Sequence, residues 1–161
     1  MKTIRFALLA LVTAFAGIVA AQTASEDTAA ETKIAQEINE LRKKEGLKPL
    51  KIDARLRKVG RDHSFLLAKH KELKDQFPEE ASLKDRITST GMNKVDSGAE
   101  NSGQNVNLDA VNKMFMDSPT HRANLLNPKF NAVGVGIVKD AETHWVTQVF
   151  VDTRGDLEEV K

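Results

Sequence analysis

The chain has 161 residues, of which 29% are charged and 5% are aromatic, and its formal net charge is +1. The near balance of 24 basic and 23 acidic residues argues against nucleic-acid binding, which normally requires a clear basic excess. Because the sequence contains no cysteine, disulfide bonds and thiolate metal sites are excluded, and any metal would need histidine and carboxylate ligands.

The first 21 residues are typical of an export signal. Lys2 and Arg5 precede a largely apolar run over residues 6–21, which ends in the small residues of a cleavage site. This run is shorter than the roughly 20 residues of a membrane span, and no second run of this kind follows it. We therefore predict a signal peptide at 1–21 and a secreted or periplasmic protein without a transmembrane span after signal removal. Residues 22–31 are small and polar, which predicts a flexible leader.

Helical periodicity dominates the first part of the domain, which is predicted to span 32–154 and to be followed by a C-terminal tail at 155–161. Gly46 is expected to end the first helix, and Asp53 to cap the second. The segment 74–101 is rich in charge and turn formers, and is predicted to be a long loop with one short helix. The predicted helices are 32–45, 54–73, 82–90 and 108–117, followed by a short helical turn after Ser118-Pro119.

Two β-rich runs follow the helices. They cover residues 133–138 and 145–151, and the polar segment 139–144 between them predicts a hairpin. Helices followed by strands, without β-α-β alternation, predict an α+β fold in which helices pack on a sheet.

Several short motifs follow one another between residues 34 and 151. They are Asn39-x-x-Arg42, Gly46-Leu47-x-Pro49-Leu50, Leu56 to His63-Ser64, Ala99-Glu100-Asn101, Ser118-Pro119-x-His121-Arg122-x-Asn124-Leu125-Leu126, Gly134-Val135-Gly136 and Thr147-Gln148-Val149-Phe150. In this order they resemble the bacterial branch of the CAP superfamily of cysteine-rich secretory, antigen 5 and pathogenesis-related proteins, also called the SCP-like extracellular domain. The resemblance implies an α-β-α sandwich with a central antiparallel sheet flanked by helices, and a cleft built around two histidines and two acids.

The resemblance assigns four residues of this chain to the cleft. His121 matches the second histidine of the family, Glu100 matches the acid of its Gly-Glu-Asn motif, and Glu80, beside the equally charged Glu79, matches the other acid. The first histidine of the family falls at Asp75. The divalent cation of the family, often zinc, is held mainly by the two histidines. Asp75, Glu80, Glu100 and His121 would give three carboxylates and one imidazole, with Asp75, Glu100 and His121 as the expected metal ligands. Such a site would favour calcium, magnesium or manganese over zinc.

The cleft is expected to depend on a pair formed by Glu100 and His121. His121 follows Ser118-Pro119-Thr120 at a helix start, where backbone N–H groups favour the neutral imidazole. A partly buried Glu100 would orient this ring, while Ser118 is expected to be a helix cap rather than a nucleophile. His63 and His70 lie roughly 10 Å apart on one helix, too far to share an ion, and are expected at the core edge and the surface.

Three classes of function are compatible with these features. The first is a secreted non-enzymatic module whose acidic and histidine-containing cleft holds a divalent cation and binds a lipid, glycan or extracellular protein. The alternative is a metal-assisted hydrolase, most readily a peptidase, in which His121 and Asp75 hold the cation and Glu80 or Glu100 activates water. The third is a structural or adhesion module of the cell envelope. Because the first histidine of the family is replaced by Asp75, the sequence favours the non-enzymatic module.

Overall fold

The computed structural model describes residues 12–160, with side chains described from residue 28 onward. The predicted signal peptide at 1–21 therefore falls partly outside the described residues. The elements, in chain order, are α1 (Val12–Lys44), β1 (Lys51–Ile52), α2 (Ala54–His70), α3 (Leu83–Ser89), β2 (Val95–Asn105), a 3₁₀ turn (Leu108–Ala110), α4 (Val111–Asp117), α5 (Pro119–Leu125), β3 (Ala132–Asp140) and β4 (Thr143–Thr153). No helix within 12–160 combines the length and apolar character that crossing a membrane requires.

The ends of the first two long helices follow from local sequence signals. α1 stops at Lys44 because Gly46, with φ of 72°, takes up the left-handed conformation that other residues adopt only with strain. The side chain of Asp53 accepts hydrogen bonds from the backbone N–H groups of Arg55 and Leu56, which confirms its prediction as the N-cap of α2. α2 ends at His70, three residues before the end predicted from the sequence at residue 73.

The segment 22–31, which we expected to be a flexible leader, lies within α1. Glu31 is fully buried, and its carboxylate accepts hydrogen bonds from the side chain of Arg61 at 2.6 Å and from the backbone N–H of Ile137 at 3.1 Å. Arg61 also donates to the hydroxyl of Thr28. The packed part of the domain therefore starts before residue 32, because these long-range contacts hold the end of this segment on α2 and β3.

The four strands form one sheet in the order β1-β3-β4-β2. β3 and β4 form the predicted hairpin, and β2 pairs antiparallel with β4 over its length. The short β1 pairs parallel with β3, so the sheet is antiparallel except at this edge. β2 begins in the last quarter of the expected loop at 74–101 and continues to Asn105, and Val95 is its single strongly β-forming apolar residue. Tertiary pairing with β4 overrides this weak local preference.

Helices cover both faces of the sheet, which confirms the α+β fold and the α-β-α sandwich. One core layer lies between the sheet and the helices α1 and α4; it includes Ile34, Ile38, Val111, Phe115, Val146 and Phe150. The other lies between the sheet and the helices α2 and α3; it includes Leu56, Val59, Ile87, Val149 and Val151. Alternate residues of β4 supply the two layers, as expected for a strand whose successive side chains point to opposite faces.

Two glycines let α2 lie directly on the backbone of β3. A Cβ atom at Gly134 would lie 2.1 Å from the backbone N of Arg57, and one at Gly136 would lie 2.0 Å from the backbone N of Arg61. Neither position can therefore carry a side chain unless α2 moves away from the sheet. This close approach fixes the depth at which the buried face of α2 enters the domain.

The segment after β4 returns to the start of α2. The backbone N–H of Glu158 donates to the carboxylate of Asp53 at 2.7 Å, and the backbone N–H of Ala54 donates to the carbonyl of Glu158 at 2.9 Å. Val160 donates to the carbonyl of Ile52 in the same way. These bonds hold the predicted C-terminal tail against β1 and the N-terminus of α2.

Candidate functional site

Four buried polar side chains meet between α2, α3 and β2, and we call them the Arg86 cluster: His63, Glu80, Arg86 and Glu100. His63 Nδ1 lies 2.9 Å from both carboxylate oxygens of Glu80, and His63 Nε2 lies 3.4 Å from Glu100 Oε1. Each of the four side chains is at most 9% exposed. The imidazole thus stands between two carboxylates inside the domain.

Arg86 binds both acids of the cluster. Its Nη1 donates to Glu100 Oε2 at 2.9 Å and its Nη2 donates to Glu100 Oε1 at 3.3 Å. The same Nη1 lies 3.3 Å from Glu80 Oε1. A guanidinium group matches a carboxylate in this two-pronged arrangement, and it carries its charge at all ordinary pH values. Arg86 therefore supplies the positive charge that two buried carboxylates require.

Separate elements bring these residues together. His63 lies on the buried face of α2, and Arg86 lies on α3, whose first turn is capped by the hydroxyl of Ser82. Glu100 stands opposite Val149 of β4, so its side chain projects toward α2 and α3. Glu80 lies in the loop between α2 and α3, anchored by the buried ring of Phe77, and it accepts a hydrogen bond from the backbone N–H of that residue.

Burial dominates the electrostatics of Glu100. Removal from water raises the pKa of its carboxyl group above the ordinary value of 4.5, and the negative charge of Glu80 acts in the same direction. The hydrogen bond and positive charge of Arg86, and to a lesser extent His63, oppose this rise in the pKa. With neutral His63, the two carboxylates and one guanidinium leave a negative charge in the cluster, which a protonated His63 would cancel.

The structure brings together two of the four residues assigned to the cleft, Glu80 and Glu100. Asp75 is exposed in the loop between α2 and α3, and it takes no part in the hydrogen bonds or ion pairs of the cluster. The ring of His121 packs edge-on against Phe115, with 5.0 Å between the ring centres. Glu80 lies in the cluster, whereas Glu79 pairs with His70 at 2.6 Å and is exposed.

Glu100 and His121 do not form the expected pair, because they lie on opposite sides of β2. Glu100 points toward α2, whereas its neighbour Asn101 points to the other face and donates to the backbone carbonyl of His121 at 3.1 Å. Successive side chains of a strand point to opposite faces of the sheet. Because Asn101 reaches His121 on one face, the side chain of Glu100 must lie on the other face. Ser118 stands at the N-cap position of α5, as expected, although its side chain makes no capping hydrogen bond.

His63 was expected at the edge of the core, and this prediction was wrong because the residue is fully buried. No role was predicted for Arg86 from the sequence. His63 shares a helical stripe with Leu56, Val59 and Leu67, and this spacing indicates burial rather than the edge of the core. A buried imidazole normally has a hydrogen-bond partner, so the stripe was a usable signal. Nothing in the local sequence distinguishes Arg86 from a solvent-exposed arginine of a short helix.

These residues do not fit the divalent cation that the family resemblance implies. Within the described residues, no three histidine, aspartate or glutamate side chains are grouped so that they could hold a metal ion. The carboxylate oxygens of Glu80 and Glu100 face Arg86 and His63 instead of a common open point. A cation in this place would have to compete with the guanidinium charge of Arg86.

Comparison with known proteins places the chain in a family. Residues 35–150 match the family described as "CAP: Cysteine-rich secretory protein family". The chain belongs to the CAP family. It is 35% identical over 133 residues to the uncharacterized protein YkwD of Bacillus subtilis (strain 168), an alignment that covers 79% of this CAP chain and 49% of YkwD. The chain thus spans about half the length of this curated relative.

Solved structures share the fold of this CAP domain. An extracellular protein of Bacillus anthracis that contains an SCP domain superposes with a TM-score of 0.72 and 25% identity, over 79% of this chain and 41% of that one. An outer surface protein from Borrelia burgdorferi superposes with a TM-score of 0.71 and 22% identity, over 78% of this chain and 94% of that one. At 22% identity, the similarity to the Borrelia burgdorferi protein shows only that the fold is shared.

Proposed function

We propose that this chain is an extracellular CAP binding module in which the Arg86 cluster stabilises the fold and performs no reaction. One observation carries the proposal: Arg86 stands in the position of a cation between Glu80 and Glu100. The CAP family and the extracellular relatives support an exported location, in agreement with the export signal predicted at 1–21.

The geometry of the cluster argues against acid–base chemistry. A general base must come within hydrogen-bond reach of a water molecule or a substrate proton. His63 is fully buried, and the side chains of Glu80 and Glu100 are 4% and 9% exposed, with their oxygens facing Arg86 and His63. The charge of Arg86 also disfavours a metal-assisted hydrolase, because it would repel a divalent cation placed between these acids.

In this proposal, partners bind to surfaces outside the cluster, and the rigid sandwich presents those surfaces. The partner classes are those expected for the family from the sequence: a lipid, a glycan or an extracellular protein. The ion pairs and hydrogen bonds of the Arg86 cluster join α2, α3 and β2 inside the domain. Surfaces held rigid in this way lose little conformational entropy when a partner binds.

The test uses the purified full-length chain. We expect no stoichiometric metal by elemental analysis of the protein as isolated, and no hydrolysis of a mixed peptide library with added zinc, manganese or calcium. His63→Ala and Asp75→Asn serve as paired variants, since one residue lies inside the cluster and the other is exposed. Stoichiometric metal, or hydrolysis that His63→Ala removes and Asp75→Asn retains, would refute the non-enzymatic assignment.

A further inference from the structure

A pocket of about 490 Å³ is lined by residues of α2, of α3 and its C-terminal cap, and of the segment after β4. Its size falls within the roughly 300–1,000 Å³ of small-molecule sites. Arg86 forms part of its wall, and no other member of the Arg86 cluster lines it. The lining residues are Ala54, Arg55, Lys58, Val59, Asp62, Arg86, Ser89, Thr90 and Glu158.

The outer part of this pocket carries two positive and two negative side chains. Lys58 and Asp62 form an exposed pair one helical turn apart, at 2.6 Å. Arg55 Nη1 lies 3.6 Å from Glu158, which is longer than a hydrogen bond. The Lys58–Asp62 pair is exposed on both sides and contributes little to stability, so each of its groups can exchange its partner for a ligand at small cost. Glu158 is also exposed, and a ligand can replace its long contact with the largely buried Arg55.

Arg55 is held in place for such an exchange. Its Nε and Nη2 donate to the buried carboxylate of Asp53, and Nη2 also donates to the backbone carbonyl of Asp156. These bonds fix the guanidinium plane and leave Nη1 directed toward Glu158. A donor that is already positioned loses little freedom on binding a ligand.

The wall formed by α3 offers hydrogen-bond acceptors. The hydroxyl of Ser89 donates to the carbonyl of Arg86, and the hydroxyl of Thr90 donates to the carbonyl of Ile87. Because their hydrogens are used in these bonds, the hydroxyl oxygens remain as acceptors for N–H groups of a ligand. Ala54 and Val59 of α2 supply the apolar surface of the lining.

We propose that this pocket binds a short peptide with free termini, with its carboxylate on Arg55 and Lys58 and its ammonium group on Asp62. A lone anion would meet the two acids, and a lone cation would meet the two bases, whereas a zwitterion satisfies both. The hydroxyl oxygens of Ser89 and Thr90 face the peptide N–H groups. This inference extends the proposed function. It rests on that proposal in one respect: a non-enzymatic module releases the bound peptide uncleaved.

The experiment titrates the full-length chain with trialanine by calorimetry. We expect binding that is lost with trialanine blocked as the N-acetyl amide, and no competition by inorganic phosphate. Lys58→Ala and Asp62→Asn should each weaken binding at least tenfold, and circular dichroism checks that both variants fold. The matched control is Lys113→Ala, because Lys113 and Asp117 form an equivalent exposed pair at 2.6 Å on α4.

Four outcomes would overturn the proposal: no binding of trialanine at millimolar concentration, equal binding of the blocked peptide, displacement by phosphate, or an equal loss in Lys113→Ala. Recovery of trialanine after the titration separates this inference from the proposed function. Cleavage of bound trialanine would refute the non-enzymatic assignment and leave the pocket as a peptide site.

Discussion

Arg86 and Glu100 form a two-pronged ion pair inside the domain, with donor–acceptor distances of 2.9 and 3.3 Å. Arg86 comes from a seven-residue helix, whereas Glu100 comes from the edge strand that pairs with β4. The pair therefore joins two segments that were expected to belong to one long loop. It also places a fixed positive charge where the family resemblance implied a metal ion.

Replacing Arg86 with leucine should destabilise the protein strongly. Arg86→Leu keeps an apolar side chain in the wall but leaves Glu80 and Glu100 buried without a positive partner, which typically costs about 3–5 kcal/mol. Urea unfolding measures this loss. The control is Arg154→Leu, since Arg154 forms a two-pronged pair with Asp96 at the exposed surface and its loss should change stability little. Equal losses in the two variants would show that the charge of Arg86 is not required.

Replacing His63 should destabilise the protein more than replacing His121, although the sequence pointed to His121 as the important histidine. His63→Ala removes the group between two buried acids and should lower the free energy of unfolding by about 3 kcal/mol or more. His121→Ala should cost about 1 kcal/mol, because its ring makes an edge-on contact with Phe115 and its backbone carbonyl still accepts from Asn101. A larger loss in His121→Ala, measured by the same urea unfolding, would contradict the structure.

The raised pKa of Glu100 predicts a specific pH dependence. The folded protein holds the proton of Glu100 at a higher pH than the unfolded chain, so unfolding releases protons above the ordinary pKa of 4.5. The contribution of Glu100 to stability is therefore greatest below 4.5 and falls as the pH rises through the folded pKa. The free energy of unfolding of the wild type minus that of Glu100→Gln should decrease from pH 4 to pH 7.

Glu79 provides a control of opposite sign. A backbone hydrogen bond and the contact with His70 lower the pKa of this exposed carboxyl group. Its stabilising effect is present above its ordinary pKa and is lost as the pH falls through the folded pKa. The wild type minus Glu79→Gln difference should therefore increase with pH in the acid range. If the two differences in the free energy of unfolding changed in the same direction with pH, burial would not be the cause of the pKa shift of Glu100.

The glycines of β3 should tolerate no side chain. Gly136→Ala places a Cβ atom 2.0 Å from the backbone N of Arg61, so α2 must move, and overpacking of this kind costs about 3 kcal/mol or more. Gly91→Ala is the control: nothing lies within 4 Å of its Cβ position, and its φ of 87° alone should cost about 1 kcal/mol. Thermal and urea unfolding give both values. A mild effect of Gly136→Ala would mean that α2 packs less closely on β3.

Much of the fold could be predicted from local pattern. Asp53 as a cap, Gly46 as a helix stop and the hairpin of β3 and β4 all depend on residues close together in the chain. β2 could not be predicted, because the backbone of β4, far along the chain, supplies its hydrogen bonds while its own residues are polar or small. The helical form of 22–31 was missed for a similar reason, since Glu31 is held by Arg61 of another helix.

By itself, the sequence determined the family, the layered α+β architecture, the absence of disulfides and the two acids of the cluster. Only the tertiary structure decided the partners of those acids. The pairing of β2 with β4 turns Glu100 toward α2 and Asn101 toward α5, and thereby selects His63 over His121. The physical reason is that a side chain's face depends on strand register, and register is set by contacts between distant parts of the chain.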